Sequence, residues 1–131
     1  MNKRLLVDAL KIAYKHLPNH NQFNCYPHYS FVIQDNQLIE WGTNLTGDPP
    51  IYFGYNKKSA VPKLHSELVA YRKARGLLLS SPFQLINIRL NKKGEWKTST
   101  PCFICQTWLA SVGCTTVWST LSSGQWEKVK L

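Results

Sequence analysis

Hydrophobic residues recur along this chain at two spacings, one typical of helices and one typical of strands. The first segment, MNKRLLVDALKIAYKHL, has the helical spacing, with apolar residues on one side at Leu5, Leu6, Ala9, Ile12, Ala13 and Leu17. A second helix is predicted from near His65 to a stop at Ser80-Ser81-Pro82. A third is predicted over PCFICQTWLASVG, because Pro101 suits a helix start and Gly113 stands just past the end.

Five further segments have the composition and length of strands: HYSFVIQD, QLIEWGTN, FQLINIRL, CTTVWST and QWEKVKL. The tight link at Asp35-Asn36 predicts that the first two form a hairpin. The short turn at Ser122-Ser123-Gly124 predicts that the last two are antiparallel, because a parallel pair needs a long crossover.

The predicted order of elements is α-β-β-α-β-α-β-β, which indicates an α/β fold with a five-stranded mixed sheet layered with helices. Two stretches rich in Gly, Pro, Lys and Asn, LTGDPPIYFGYNKKSAVPK and NKKGEWKTST, are predicted to be loops. The length of 131 residues fits a single domain that buries a core of its own.

Composition narrows the class of protein. Hydrophobic residues make up 44% of the chain and charged residues 18%, as in ordinary globular proteins. No apolar run approaches the roughly 18–20 residues of a membrane span, so no membrane association is expected. Asp8, Lys11 and Lys15 interrupt the N-terminal segment, which argues against a signal peptide. A cytoplasmic location is therefore expected, where cysteines serve metal binding or catalysis more often than disulfides.

The charge is strongly positive. Sixteen Lys and Arg residues against seven Asp and Glu give a formal net charge of +9. Such an excess favours anionic partners such as phosphates, nucleotides or nucleic acid. A positive surface that only aids solubility is the alternative, because net charge does not say where the charges lie.

Four residues near two predicted helix starts have the types that a catalytic zinc site requires. Cys102 and Cys105 are three residues apart in the first turn of one helix, where free N–H groups and the helix dipole favour thiolates. With His65 they supply three zinc ligands, which leaves the fourth tetrahedral position open for water. Glu67, two residues from His65, is the candidate proton shuttle. A purely structural zinc site would need a fourth ligand and would have no use for Glu67.

This H-x-E and P-C-x-x-C pair resembles the signature of the zinc-dependent nucleobase deaminases. HSELVAYRKA resembles the H-A-E-x-x-A pattern of the cytidine deaminase-like superfamily, and STPCFIC resembles the S-x-P-C-x-x-C of its AID/APOBEC-like branch, including short phage and microbial deaminases. The resemblance implies one cytidine deaminase-like domain over residues 1–131, with α-β-α layers and one zinc ion per chain. It also implies attack of water on an aromatic ring carbon, with release of ammonia.

The resemblance further implies contacts with the substrate. Asn44, at the end of the second strand, matches an asparagine with which relatives hold the sugar of the target nucleotide. Tyr26 and His28 lie before or at the first strand, where relatives line the mouth of the pocket. Ser99 stands where AID/APOBEC enzymes carry a tryptophan on the pocket floor, which is a departure from their pattern. Trp118 is the remaining candidate contact.

The resemblance favours cytosine as the base, and the charge favours a single-stranded polynucleotide, DNA or RNA, as the substrate. Free cytidine, deoxycytidine or dCMP is the alternative. Loop lysines that precede the two halves of the motif are candidates for contacts with a phosphate backbone: Lys57, Lys58, Lys92, Lys93 and Lys97. An alternative of another class is a catalytically idle relative that binds nucleic acid, against which the intact Glu67 argues. The oligomeric state stays open.

Overall fold

The computed structural model describes residues 1–20, 27–44, 65–79 and 82–131, with His20 described by its backbone alone. Three helices and six strands lie within these ranges. In chain order they are α1 (Lys3–His20), β1 (His28–Gln34), β2 (Gln37–Thr43), α2 (Ser66–Ala74), β3 (Phe83–Leu90), β4 (Trp96–Lys97), α3 (Phe103–Ser111), β5 (Cys114–Thr120) and β6 (Trp126–Lys130).

The strands form one mixed sheet in the order β2-β1-β3-β5-β6, with β4 paired to β3 outside that path. Only the pairing of β3 with β5 is parallel; the other pairs described are antiparallel. The predicted hairpin is confirmed, with positive φ angles of 53° at Asp35 and 58° at Asn36, as a tight hairpin turn requires. The antiparallel arrangement of the last two strands is also confirmed.

The prediction of five strands is wrong, because the stretch predicted as a loop after β3 contains a sixth. Asn91 turns the chain back: its Oδ1 accepts hydrogen bonds from the backbone N–H groups of Lys93 at 3.0 Å and Glu95 at 2.8 Å. Gly94 completes the turn at a φ of +83°, which glycine adopts without steric cost. Trp96 and Lys97 then pair with the end of β3. A strand of two residues is too short to show the alternation of apolar and polar residues by which strands are predicted from a sequence.

The two faces of the sheet carry different layers. Alternate side chains of a strand point to opposite faces, so Tyr29, Phe31 and Ile33 pack on one side of β1 and Val32 on the other. The first side is covered by the apolar residues of α1, as its periodicity predicted; Leu5, Leu6, Ala9, Ala13 and Leu17 are buried there. The second side is covered by α2 and α3.

Helix α2 lies unusually close to β2. A Cβ atom added at Gly42 would stand 2.6 Å from the backbone nitrogen of Ala70 and 2.7 Å from Val69 Cγ1, distances that real Cβ atoms do not reach. The helix also ends earlier than predicted, at Ala74 rather than near Ser80. The N–H groups of Leu77 and Leu78 both bond to the Ala74 carbonyl, and Gly76 lowers the helical propensity at this point.

Both helices begin at the same end of the sheet. Helix α3 belongs to the crossover between the parallel strands β3 and β5, so it starts at the carboxyl end of β3. Helix α2 follows β2, whose last residues lie beside the first residues of β1. His28 of β1 in turn pairs with Arg89 near the carboxyl end of β3. No helix in the described part of the chain is long and apolar enough to cross a bilayer.

Candidate functional site

His65 and Cys105 meet where α2 and α3 begin. His65 is the N-cap of α2, and Cys105 lies in the first turn of α3. Their side chains approach so that His65 Nδ1 and Cys105 Sγ are 3.5 Å apart. Forty residues separate them in the chain, so the sheet brings these two halves of the motif together.

This separation fits two ligands of one zinc ion. Ligands at about 2.3 Å for sulfur and about 2.0–2.1 Å for nitrogen, on a tetrahedral centre, lie about 3.5–3.6 Å from each other. Cys102 is the N-cap of α3, and its Sγ accepts the backbone N–H of Cys105 at 3.5 Å. The third candidate ligand is thus on the same helical turn as the second. Among the described residues, however, no group of three His, Cys, Asp or Glu side chains has converged tightly enough to form a metal cluster.

The two thiols differ in environment. Cys102 is exposed, whereas Cys105 is buried. Burial raises the pKa of the Cys105 thiol, and the charge of Glu67 and the hydrogen bond to Cys102 raise that pKa further. These effects oppose the thiolate form of Cys105 when no cation is bound. A bound cation would offset these effects, since metal ligation and thiol deprotonation are coupled.

Glu67 is almost fully buried, with 2% of its surface exposed. Its Oε1 accepts a hydrogen bond from Ser66 Oγ at 3.1 Å, and its Oε2 accepts one from Asn87 Nδ2 at 3.4 Å. The carboxylate also lies near enough to Cys105 and His28 to influence the pKa of each. Glu67 is therefore close both to Cys105 on α3 and to His28 on β1.

His28 faces the same region from β1. Burial lowers the pKa of its imidazole; the charge of Glu67 opposes this shift, while those of Arg89 and His65 add to it. The imidazole is therefore neutral near pH 7, and its buried Nε2 makes no hydrogen bond with any described residue. Asn44 holds the backbone here, because its Oδ1 accepts the His28 N–H at 3.0 Å. The structure thus brings His28 and Asn44 together beside Glu67.

Ser99 is buried, and its hydroxyl is engaged by the backbone. Its Oγ donates to the carbonyl of Asn87 at 2.9 Å and accepts the N–H of Thr120 at 2.9 Å. These bonds join the segment before α3 to the ends of β3 and β5. The Ser99 hydroxyl is therefore bonded to the backbone of the sheet. The Ser99 carbonyl is the group near Glu67, and it accepts a hydrogen bond from Asn87 Nδ2 at 3.2 Å.

Trp118 is not brought to the other candidate residues. The Trp118 side chain lies on the face of the sheet that α1 covers, where it packs, partly buried, against the apolar residues of α1 and the sheet. Its Nε1 donates to Gln84 Oε1 at 3.1 Å, and Lys128 Nζ lies 5.5 Å from the centre of its ring. The helices α2 and α3 cover the opposite face, so Trp118 does not line the candidate site between them.

The candidate phosphate contacts are only partly described. Lys57 and Lys58 lie outside the described residues, as does Tyr26, which was predicted to line the mouth of the pocket. Lys92 and Lys93 are exposed in the turn that follows β3, and Lys97 is half-buried on β4. This turn begins just beyond Arg89, whose neighbour in the sheet is His28. The described lysines are therefore near the end of the sheet that carries the other candidate residues.

Four polar residues of this region were missed by sequence reasoning: Ser30, Ser66, Asn87 and Arg89. Asn87 and Ser30 are fully buried and link to Glu67 directly or through its neighbours. A signal was present, because Asn87 interrupts the otherwise apolar core of FQLINIRL and a buried amide needs partners. Arg89 has no such signal, because an arginine near a strand end is ordinary.

Comparisons of the chain with protein-family models, with curated proteins and with solved structures found no match. The function proposed below therefore rests on the residues of this chain and on their geometry.

Proposed function

We propose that this protein is a zinc-dependent hydrolytic deaminase that converts cytosine to uracil, with single-stranded DNA or RNA as the preferred substrate. The observation that carries the proposal is the approach of His65 Nδ1 to Cys105 Sγ at 3.5 Å, with Cys102 on the same helical turn and Glu67 buried beside them. A nitrogen and two sulfurs are typical zinc ligands. A nearby carboxylate that need not ligate the metal is what distinguishes a hydrolytic site from a structural one.

His65, Cys102 and Cys105 would hold the metal. A zinc ion at this position supplies Lewis acidity, which makes water a nucleophile near neutral pH. Glu67 would accept one proton from the attacking water and pass it to the ring nitrogen, and would then take the remaining proton of the added hydroxyl and pass it to the departing amine. The bond from the ring carbon to oxygen forms, the bond to the amino nitrogen breaks, and the nitrogen leaves with its electron pair as ammonia.

His28 and Asn44 are the described residues best placed to meet the rest of a nucleotide. A neutral imidazole with an unsatisfied buried nitrogen can donate to or accept from a polar atom of a base or sugar. The His28 Nε2 atom meets this description among the described residues. Asn44 fixes the position of His28 through its backbone.

The preference for a polymer rests on charge. The formal net charge is +9, and the exposed Lys92 and Lys93 lie in the turn beside Arg89 and His28. Several cations at one end of a binding site match a chain of phosphates better than a single one.

The test is direct. Zinc-loaded protein is incubated separately with cytidine, dCMP, single-stranded DNA and single-stranded RNA, and uracil and ammonia are measured. Uracil formation that is fastest in an oligonucleotide supports the whole proposal. Turnover of cytidine or dCMP beside inert oligonucleotides supports the chemistry and replaces the substrate. Binding of oligonucleotides without release of ammonia from any of the four would favour a catalytically idle nucleic-acid-binding protein.

A further inference from the structure

Four buried side chains lie in a ring behind the candidate site, each with polar atoms within hydrogen-bond distance of the next. Ser30 Oγ donates to Asn87 Oδ1 at 2.7 Å and lies 2.7 Å from Ser66 Oγ. Ser66 Oγ reaches Glu67 Oε1 at 3.1 Å, and Asn87 Nδ2 returns to Glu67 Oε2 at 3.4 Å. The ring draws on β1, α2 and β3. A buried carboxylate needs such donors, because an unpaired buried charge is strongly destabilising.

Asn87 is the one of the two donors near Glu67 that has a hydrogen for every acceptor within its reach. Ser66 has one hydroxyl hydrogen but two oxygens within reach, Ser30 Oγ and Glu67 Oε1, so it cannot serve both. Asn87 Nδ2 has two hydrogens and two acceptors, Glu67 Oε2 at 3.4 Å and Ser99 O at 3.2 Å. Because both of these neighbours only accept, the amide orientation is fixed.

Asn87 also joins the two halves of the site. Through Glu67 it contacts α2, which begins beside His65. Through the Ser99 carbonyl it contacts the segment that ends at the N-cap Cys102 of α3. One side chain on the central strand β3 thus sets the position of the carboxylate relative to the segment that carries the thiols. Side chains that orient a metal-site residue in this way typically change activity 10–100-fold when they are removed.

We infer that Asn87 is a positioning residue that orients the Glu67 carboxylate toward the reacting groups. The inference rests on the proposed deaminase function. Asn87 does not touch the reacting atoms, so it acts on turnover only through Glu67. Its loss should therefore lower kcat with little effect on KM, the pattern of an interaction made in the transition state.

The experiment measures uracil formation and zinc content for Asn87→Ala, Glu67→Gln and the double variant. We expect Asn87→Ala to keep its zinc and lose on the order of 10–100-fold in kcat, with KM within about threefold. In the Glu67→Gln background, the same change should lower kcat no further, since the residue through which it acts is already altered. Losses that multiply, or an unchanged kcat in Asn87→Ala, would overturn the inference.

The chain offers a matched control in Ser119. It is fully buried, pairs with Asn87 across β3 and β5, and its Oγ has no hydrogen-bond partner among the described residues. Ser119→Ala should leave kcat unchanged. If Asn87→Ala does not fold, Asn87→Asp keeps the shape but removes both amide hydrogens, and it should lose at least as much kcat.

A double-mutant cycle on the same variants, with the melting temperature Tm as the measured quantity, does not require catalytic activity. A non-additive change in Tm for the pair of residues 67 and 87 supports the contact, and strict additivity overturns it. A wild-type protein that deaminates none of the four substrates would overturn the deaminase proposal, while this cycle would still report on Asn87.

Discussion

At the scale of single residues, the burial of Glu67 is the observation that most needs a reason. A carboxylate with 2% of its surface exposed gives up most of its hydration, which costs free energy even when donors replace the water. Ser66 and Asn87 donate to it, yet an apolar side chain would fill the same space without that cost. The proposed role in proton transfer would account for a carboxylate at this position.

Replacement of Glu67 tests that role. Glu67→Gln keeps the shape of the side chain but removes its capacity to accept and return protons. We expect the variant to retain zinc and to lose turnover by about 10²–10⁴-fold, the usual contribution of general acid–base catalysis. Uracil release and metal analysis on one preparation measure both quantities. Glu95→Gln, in an exposed turn, is the control. If Glu67→Gln keeps more than about a tenth of wild-type turnover, Glu67 is not the proton shuttle.

The cysteines give a second test, of the metal itself. Wild-type protein is expected to bind one zinc ion per chain, and Cys102→Ala to lose it and to unfold at a lower temperature, because metal binding contributes to folding. Cys114→Ala is the control, since Cys114 is buried on β5 and burial raises the pKa of its thiol to about 12. Elemental analysis and thermal unfolding, each with and without a chelator, provide the measurements. Full zinc occupancy in Cys102→Ala would refute the ligand assignment.

The sequence pointed to the candidate metal ligands and Glu67, and to His28 and Asn44 near them, but not to Asn87 and Ser30, which link to Glu67. The residue types and the resemblance to the H-x-E and P-C-x-x-C signature suggested that His65 and Cys105 share one site, and their side chains are 3.5 Å apart. The link from Asn87 to Glu67 joins β3 to α2, a helix that packs mainly on β2 and β1, and no local pattern encodes it. The face to which Trp118 points depends on the irregular register near the start of the β3–β5 pairing, so its place on the side of α1 was not predictable.

At the scale of elements, the fit of α2 against β2 positions Glu67. The helix is nine residues long, which is too short to be stable alone, so its packing on the sheet must hold it. The close approach at Gly42 is part of that packing, and it occurs at Val69 and Ala70, one turn or less beyond Glu67. A displacement of α2 from the sheet would therefore move the carboxylate.

Gly42→Ala should show this dependence. The added methyl group meets backbone atoms of α2 as near as 2.6 Å, so the helix itself must shift. We expect a loss of about 1–3 kcal/mol in the free energy of unfolding, the usual cost of overpacking, together with reduced turnover. Gly76→Ala is the control, because a Cβ atom added there would meet nothing within 4 Å. Chemical denaturation of both variants gives the comparison. Equal stability of Gly42→Ala and wild type would show that α2 has room to move.

Elements with a strong local period were predicted well, and those set by tertiary contacts were not. FQLINIRL and CTTVWST were predicted as strands, and β3 and β5 span those residues. Strand β4 depends on the Asn91 turn and on the hydrogen bond from Trp96 Nε1 to Tyr14 OH at 3.0 Å, which comes from the distant α1. The early end of α2 at Ala74 did have a local signal in Gly76, and Leu77 and Leu79 beyond it are largely exposed, so packing does not hold a longer helix.

At the scale of the whole molecule, the order of the strands collects polar and basic groups at one end. The antiparallel pair β1 and β3 places His28 beside Arg89, and the β1–β2 hairpin returns Asn44 to His28. The parallel pair β3 and β5 sets the start of α3 at the carboxyl end of β3. Ligands in α/β sheets typically bind outside the carboxyl ends of strands. The exposed Lys92 and Lys93 follow Arg89 at this end.

The salt dependence of activity tests whether these charges contact a polynucleotide. Each phosphate contact on a single strand adds about −0.7 to the slope of log affinity against log salt concentration. We expect deamination of an oligonucleotide, measured below saturation, to fall steeply from low to physiological salt. The double variant Lys92→Glu with Lys93→Glu should be less active on the oligonucleotide and less sensitive to salt, with unchanged zinc content.

Lys3→Glu with Arg4→Glu is the matched control, because it makes the same change in net charge at exposed positions in the first turn of α1. The turn with Lys92 and Lys93 contacts α1 nearer its other end, where Tyr14 OH donates to the Gly94 carbonyl at 3.1 Å. If net charge alone governs the activity, both double variants lose it equally and their salt slopes match. If the turn contacts phosphates, only the Lys92 and Lys93 variant has a shallower slope, lower by about 0.7 for each contact removed. A monophosphate such as dCMP offers one phosphate group, so its turnover should depend only weakly on salt. If dCMP is turned over rapidly and the oligonucleotide is not, the substrate is a free nucleotide and these lysines do not contact it.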